Sequence, residues 1–283
     1  MSEQPRTTVA PGSAEIDLVW RLLPSVLEAG ALEMRYYREG VAVQEKADAS
    51  PVTLADQEAE EVLLAALARE APGIPVVAEE SVAAGRIPTV GSRFFLVDPL
   101  DGTKEFINKR DEFTVNVALV EDGVPVLGIV YVPALADLYV TLGRTSAARA
   151  RLAPDARPAS LDACGLQRIS VRSPDMNGLV AVASRSHMTP ETEAFLSGYR
   201  IAQRRDSGSS LKFCAVARGE ADIYPRLAPT MEWDTAAGDA VLRAAGGCVT
   251  APDGSPFRYG KADAGFRNGH FVAWGGAAPF PRG

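Results

Sequence analysis

The stretch Asp98-Pro99-Leu100-Asp101-Gly102-Thr103 carries the densest chemistry in the chain: two carboxylates within four residues, a proline between them and a glycine after. Pro99 fixes its own φ and drives Asp98 toward extended geometry. Gly102 lets the backbone turn where a side chain would obstruct it. Such a loop can aim two carboxylates and a backbone carbonyl at one point, a donor set suited to a hard divalent cation. Asp, Pro and Gly are also the common turn residues, so the stretch alone is better read as a surface turn.

The elements around it change that weighing. The apolar run Phe94–Val97 reads as a buried strand ending at Asp98. Ile74–Ala78 reads as a short strand running into Glu79-Glu80-Ser81, which puts Glu79 at a second strand end. Thr53-Leu54-Ala55-Asp56 precedes a helical pattern over 57–68 and matches a capping box with Asp56 in the acidic slot. Asp234 opens a helical pattern that runs to Ala245, where an acid also serves as an N-cap. A helix N-terminus favours the anionic form that a metal ligand requires.

Asp56, Glu79, Asp98, Asp101 and Asp234 therefore stand together as acidic candidates. The only two histidines, His187 and His270, argue against a zinc hydrolase. No Gly-x-Ser-x-Gly elbow accompanies them. The Asp-x-x-Asp spacing differs from the Asp-x-Asp of a phosphatase with a covalent aspartyl nucleophile. What remains is two or more Mg²⁺ ions bridged by carboxylates, serving in-line phosphoryl displacement by water.

A chain of 283 residues with 47% hydrophobic content has room for one large or two medium domains. A net charge of −7 argues against a nucleic acid polymer as partner, though not against a small phosphorylated ligand. No apolar run is long enough to span a membrane. Three scattered cysteines, Cys164, Cys214 and Cys248, fit reduced thiols and a cytoplasmic setting. Residues 1–14 lack a signal-peptide pattern and read as a loose tail. Helix over 15–37, interrupted at Pro24, and consecutive strands over 113–142 give an α+β N-terminal half, 15–155. Strand–helix alternation from Leu179 onward gives an α/β C-terminal half, 156–283.

These residues carry a family resemblance. Glu79-Glu80-Ser81, Asp98 to Thr103, and Trp233-Asp234-x-x-Ala237-Gly238 resemble the three signature blocks of the lithium-sensitive, Mg²⁺-dependent phosphatases, the superfamily of inositol monophosphatase and fructose-1,6-bisphosphatase. Lys104-Glu105-Phe106, Glu112 to Asn116, Ser184 to His187, Gly208 to Cys214 and Tyr224-Pro225-Arg226 are more similar to the CysQ-type 3′(2′),5′-bisphosphate nucleotidases. The resemblance implies an α/β fold, a layered αβαβα sandwich with its site between the halves. It implies two to three Mg²⁺ ions, one on Glu79, Asp98 and the Leu100 carbonyl, and another on Asp98, Asp101 and Asp234. A third, weaker ion is expected near Glu79. Thr103, hydrogen-bonded to Asp56, would orient the attacking water, with Glu79 also counted as catalytic. Gly102 and Thr103 would present backbone N–H groups to the scissile phosphate, beside Leu100, Asp101 and Asp234. Ser209, Ser210 and Lys212 would bind ribose and phosphate oxygens, and His187 and Arg226 the second phosphate or base. Glu80, Ser81 and Thr235 would support them. The implied reaction is hydrolysis of 3′-phosphoadenosine 5′-phosphate to AMP and phosphate by a monomer or homodimer. An inositol or sugar phosphate monoesterase on the same metal core is the alternative, and a nucleotide-binding regulator without catalysis is a second.

Overall fold

A computed structural model describes residues 14–40, 43–45, 51–184 and 188–277. The first helix, α1 (Ala14–Glu39), runs unbroken through Pro24. Pro24 lies on the exposed face, so the carbonyl it leaves unbonded can turn to water. The opposite face buries Leu18, Leu22, Leu23, Val26 and Leu27, the apolar stripe seen in the sequence. After α1, β1 (Val43–Glu45) pairs antiparallel with β2 (Pro51–Thr53). The next helix, α2 (Leu54–Glu70), starts at the capping box and packs on α1.

A seven-stranded sheet lies under these two helices. It contains β3 (Val76–Ala78), β4 (Arg93–Asp101), β5 (Thr114–Glu121), β6 (Val124–Val132), β7 (Asp137–Thr141), β8 (Ala147–Arg151) and β9 (Gln167–Ile169), in that spatial order. β3 is parallel to β4 and the remaining neighbours are antiparallel. Both faces of β4 are buried. Phe95 and Val97 pack toward α1 and α2, while Phe94 and Leu96 pack toward the C-terminal half. That two-sided burial is why the strand reads as an unbroken apolar run. Two short helices, α3 (Glu79–Ala83) and α4 (Thr103–Ile107), follow β3 and β4.

The second sheet takes β10 (Leu179–Ser184), β11 (Ile201–Ser207), β12 (Ile223–Arg226), β13 (Cys248–Thr250) and β14 (Phe271–Trp274), in the order β11-β10-β12-β14-β13. Between the sheets lie α6 (Leu211–Ala217) and α7 (Ala236–Ala244), while α5 (Pro190–Ser197) covers the outer face. The layers are thus α1/α2, sheet, α6/α7, sheet, α5. At Gly128 on β6 a Cβ would stand 2.4 Å from the Ala237 carbonyl oxygen, so glycine lets α7 lie directly on the large sheet.

The boundary expected at 155 does not separate the sheets. Ala147 pairs with Ile169, so the large sheet takes a strand from beyond it. That strand, β9, escapes the sequence pattern because Gln167 and Arg168 are exposed polar residues without the β-branched or aromatic signature. Residues 1–13 and His187 lie outside the described residues. No helix among those described is long and apolar enough to cross a membrane.

Candidate active site

Two parallel strands, β3 and β4, deliver the first acids. Glu79 is the first residue of α3, and Asp98 stands near the end of β4. The α3 N-terminus is held by Glu60 of α2, which accepts from the Glu80 N–H at 2.8 Å and the Ser81 hydroxyl at 2.6 Å. Glu80 and Ser81 thus take supporting roles, and the cap that satisfies them comes from Glu60. Pairing of β4 with β5 shifts register between Asp98 and Asp101. The shift lets the strand bend, as a bulge does. Asp98 Oδ1 accepts from the Leu100 N–H at 3.0 Å. The chain then turns through Gly102 at φ 97°, a left-handed conformation that favours glycine, into α4.

Asp234 arrives from the C-terminal half. Helix α7 begins later than expected, at Ala236, with Thr235 as its cap residue. Asp234 therefore does not cap the helix. Its Oδ2 accepts from the Met231 N–H at 2.8 Å, which fixes the turn before the helix. Thr235 donates to the Glu232 carbonyl at 3.2 Å and accepts from Asn268 at 3.0 Å.

Oxygens of Glu79, Asp98 and Asp234 lie within 4.8 Å of one another. Desolvation, then the charges of Asp101 and Glu79, push the Asp234 carboxyl well above the usual carboxylate range. Three converging carboxylates, one of them disfavouring its own ionisation, make a donor set that fits a hard divalent cation. Asp101 stands outside this trio. Its Oδ2 accepts from the Ser209 hydroxyl at 2.8 Å and the Ser210 N–H at 2.7 Å.

Asp56 performs two tasks with separate oxygens. Its Oδ2 accepts from the Thr53 N–H at 2.8 Å and the Thr53 hydroxyl at 2.7 Å, completing the capping box. Its Oδ1 accepts from the Thr103 hydroxyl at 3.2 Å. The cap therefore anchors the same carboxylate that orients Thr103.

A cavity of about 610 Å³ opens between the sheets over these groups. Leu100, Asp101, Gly102, Thr103, Ser209, Lys212 and Arg226 line it along with the three clustered acids. Lys212 is buried and donates to the carbonyls of Ser207 and Ser209. Burial is the main cause that brings its ammonium down to about 8, with the charge of Asp101 opposing. Arg226 is 7% exposed, and among the described residues its Nε has no hydrogen-bond partner while Nη2 donates to the Pro229 carbonyl.

The Gly208–Ser210 loop is fixed by residues to which the sequence reading gave no role. Gly208 donates to Glu112 at 3.0 Å, Asn116 donates to the Ser210 hydroxyl at 3.1 Å, and Thr114 bonds the Ser209 hydroxyl. A Cβ at Gly208 would stand 2.9 Å from the Glu105 side chain. The available signal was polar alternation. Thr114 and Asn116 are fully buried, and on a strand they share a face while Val115 and Val117 take the other.

The profile of the Inositol monophosphatase family matches residues 22–273, with every clustered acid inside the match. The chain belongs to the inositol monophosphatase family. Among curated members of this phosphatase family, it is 44% identical to the 3′(2′),5′-bisphosphate nucleotidase CysQ of Escherichia coli (strain K12) over 218 residues, 77% of this chain and 82% of that protein. It is likewise 44% identical to the CysQ nucleotidase of Salmonella typhimurium over 81% of this chain and 85% of that one. Among solved structures, CysQ from Bacteroides thetaiotaomicron matches with a TM-score of 0.77 at 38% identity, covering 93% of this chain and 98% of that chain. An inositol monophosphatase from Anabaena matches with a TM-score of 0.68 at 26% identity, covering 93% and 90%.

Proposed function

We propose that this inositol monophosphatase family member is a Mg²⁺-dependent 3′(2′),5′-bisphosphate nucleotidase. It hydrolyses 3′-phosphoadenosine 5′-phosphate to AMP and phosphate. The observation that carries the reading is one cavity lined both by the clustered acids Glu79, Asp98 and Asp234 and by the cations Lys212 and Arg226. The acids suit metal ions at the scissile phosphate, and the cations suit a substrate with a second anionic group. Identity of 44% to CysQ nucleotidases over most of both chains supports the same substrate class.

Glu79, Asp98 and Asp234 would hold Mg²⁺, joined by Asp101 and the Leu100 carbonyl. Two to three ions fit the number of donors. When bound, Mg²⁺ supplies Lewis acidity that eases deprotonation of water and neutralises charge on the phosphoryl oxygens. The Thr103 hydroxyl donates a hydrogen bond to Asp56, which leaves its oxygen lone pairs available to accept from the attacking water. Asp56 keeps that orientation because its other oxygen is tied into the helix cap. Backbone N–H groups of Gly102 and Thr103 would receive the scissile phosphate where α4 begins. Ser209 and Ser210 would meet the ribose, and Lys212 and Arg226 the second phosphate. Attack by water proceeds with no covalent phosphoenzyme, since the two loop acids serve as metal and loop ligands.

A parallel assay tests the reading. Purified protein with Mg²⁺ is given 3′-phosphoadenosine 5′-phosphate, inositol 1-phosphate and fructose 1,6-bisphosphate. The nucleotide is turned over with the highest kcat/KM, and activity disappears with a chelator. A dominant inositol rate would sink the nucleotidase reading, and turnover of none would sink the enzyme reading.

A further inference from the structure

The loop from Gly260 to Asn268 is tied to the turn that carries Asp234. Glu232 is fully buried and accepts from the Gly260 N–H at 2.8 Å, the Lys261 N–H at 3.0 Å and the Lys261 ammonium at 2.8 Å. Lys261 also donates to Asn268 Oδ1 at 3.1 Å. Asn268 Nδ2 in turn reaches the Met231 carbonyl at 2.7 Å and the hydroxyls of Thr230 and Thr235 at 3.2 and 3.0 Å. Both partners of this network are oriented, so the loop and the turn form one rigid unit.

Arg267 sits in the middle of that lock. Its backbone forms an antiparallel bridge with Met231. Phe266 before it is fully buried in the apolar core, and Asn268 after it is buried in the polar network. Arg267 itself is exposed and lines the cavity beside Thr230, Met231 and Ala264. Lys261 on the same loop has a carboxylate partner in Glu232. Among the described residues the Arg267 guanidinium has no carboxylate within ion-pair distance. Met231, bridged to Arg267, gives its N–H to Asp234. One bridged pair and three residues of chain, at most roughly 15 Å, therefore separate the Arg267 backbone from the acid wall.

We propose that Arg267 is a specificity-determining residue that binds the second phosphate of the substrate, the 5′-phosphate of a nucleoside 3′,5′-bisphosphate. This rests on the nucleotidase reading above. A planar guanidinium with a fixed backbone suits two parallel hydrogen bonds to a phosphate. It lines the same cavity as Arg226, whose buried Nε has no hydrogen-bond partner among the described residues.

Steady-state kinetics of the full chain with Mg²⁺ test this, using 3′-phosphoadenosine 5′-phosphate and adenosine 3′-monophosphate as substrates. The two share base, ribose and scissile phosphate and differ only in the 5′-phosphate. Arg267→Ala raises KM for the bisphosphate about tenfold or more, the loss of a charge-assisted contact. It changes KM for the monophosphate less than about twofold and leaves kcat for both within about twofold, since the contact lies away from the reacting atoms. Arg267→Lys, which keeps the charge without the fork, recovers part of the loss. Equal loss on both substrates would assign Arg267 to the base, the ribose or the loop's structure, and would overturn the proposal. So would an unchanged bisphosphate KM. The wild-type preference between the two substrates tests the nucleotidase reading separately. If wild-type protein does not prefer the bisphosphate, that reading fails; if it does and the variant ratio is flat, only the Arg267 assignment fails.

Discussion

The two walls of the cavity are built in opposite ways. The acid wall comes from strand ends and a preset turn, and its carboxylates converge with little cationic compensation. The cationic wall is assembled from α6, β12 and the loop before β14, and each positive group is held by carbonyls or by a rigid backbone. On the function proposed above, the acids would be completed by a metal and the cations by a dianion. Catalysis and specificity are thereby assigned to different parts of the chain, so mutations should separate them.

The largest separation comes from Asp98→Asn. It neutralises a clustered ligand and lowers kcat by roughly 10³-fold, while thermal unfolding in the absence of Mg²⁺ stays the same or moves upward as repulsion falls. Wild-type turnover in this variant would remove Asp98 from the metal site. Thr103→Val comes next, with kcat lowered roughly 10²-fold and metal affinity retained. A matching fall in Mg²⁺ affinity, read by calorimetry, would move Thr103 from water orientation to metal binding.

Lys212→Met probes the other wall. KM for 3′-phosphoadenosine 5′-phosphate rises on the order of tenfold, more than for a simple phosphomonoester. Equal effects on both would place Lys212 outside the second-phosphate subsite. Because burial brings the free Lys212 ammonium to about 8, the charged form that attracts phosphate declines as pH rises through that value. Wild-type KM for the bisphosphate therefore climbs above about pH 8, and the Met variant lacks that climb.

The smallest effect is a pH-dependent gain in stability. The Asp234 carboxyl is pushed upward in the metal-free fold, so its contribution to stability is present below the unfolded-state value of about 3.9 and is lost as pH rises through the raised one. Mg²⁺ binds the ionised form. The rise in melting temperature on adding Mg²⁺ should therefore grow with pH, and a gain that shrinks with pH would contradict the assigned ligand.

How much of this could be read from the residues differs between the walls in the same sense. Asp98 and Asp101 announce themselves because proline, glycine and two acids fall within one turn, and Glu79 because it ends an apolar run. Periodicity marked the apolar strands, and the layer order came with the family resemblance. Where β9 is short, polar and exposed, periodicity carried no signal, and the large sheet continues past residue 155. Glu60, Asn116 and Arg267 were not legible either, since each acts on residues 20 or more positions away. A polar side chain inside a strand or helix says only that it needs a partner. Tertiary structure decides which one, and that also turned Asp234 from a helix cap into the acceptor that fixes the turn before α7.

The attachment of the Ser209–Ser210 loop to Asp101 spans 108 residues of sequence. Contacts of such separation form late, because a long stretch of chain must be closed before they contribute. Asp234 closes on Asp98 over a still longer stretch of chain, so the acid cluster and the loop both wait for the two halves to meet. A refolding chain should therefore acquire Mg²⁺-dependent protection of β4 and affinity for nucleotide together. Pulsed hydrogen exchange alongside ligand capture would time the two events, and protection of β4 well ahead of nucleotide capture would contradict this order.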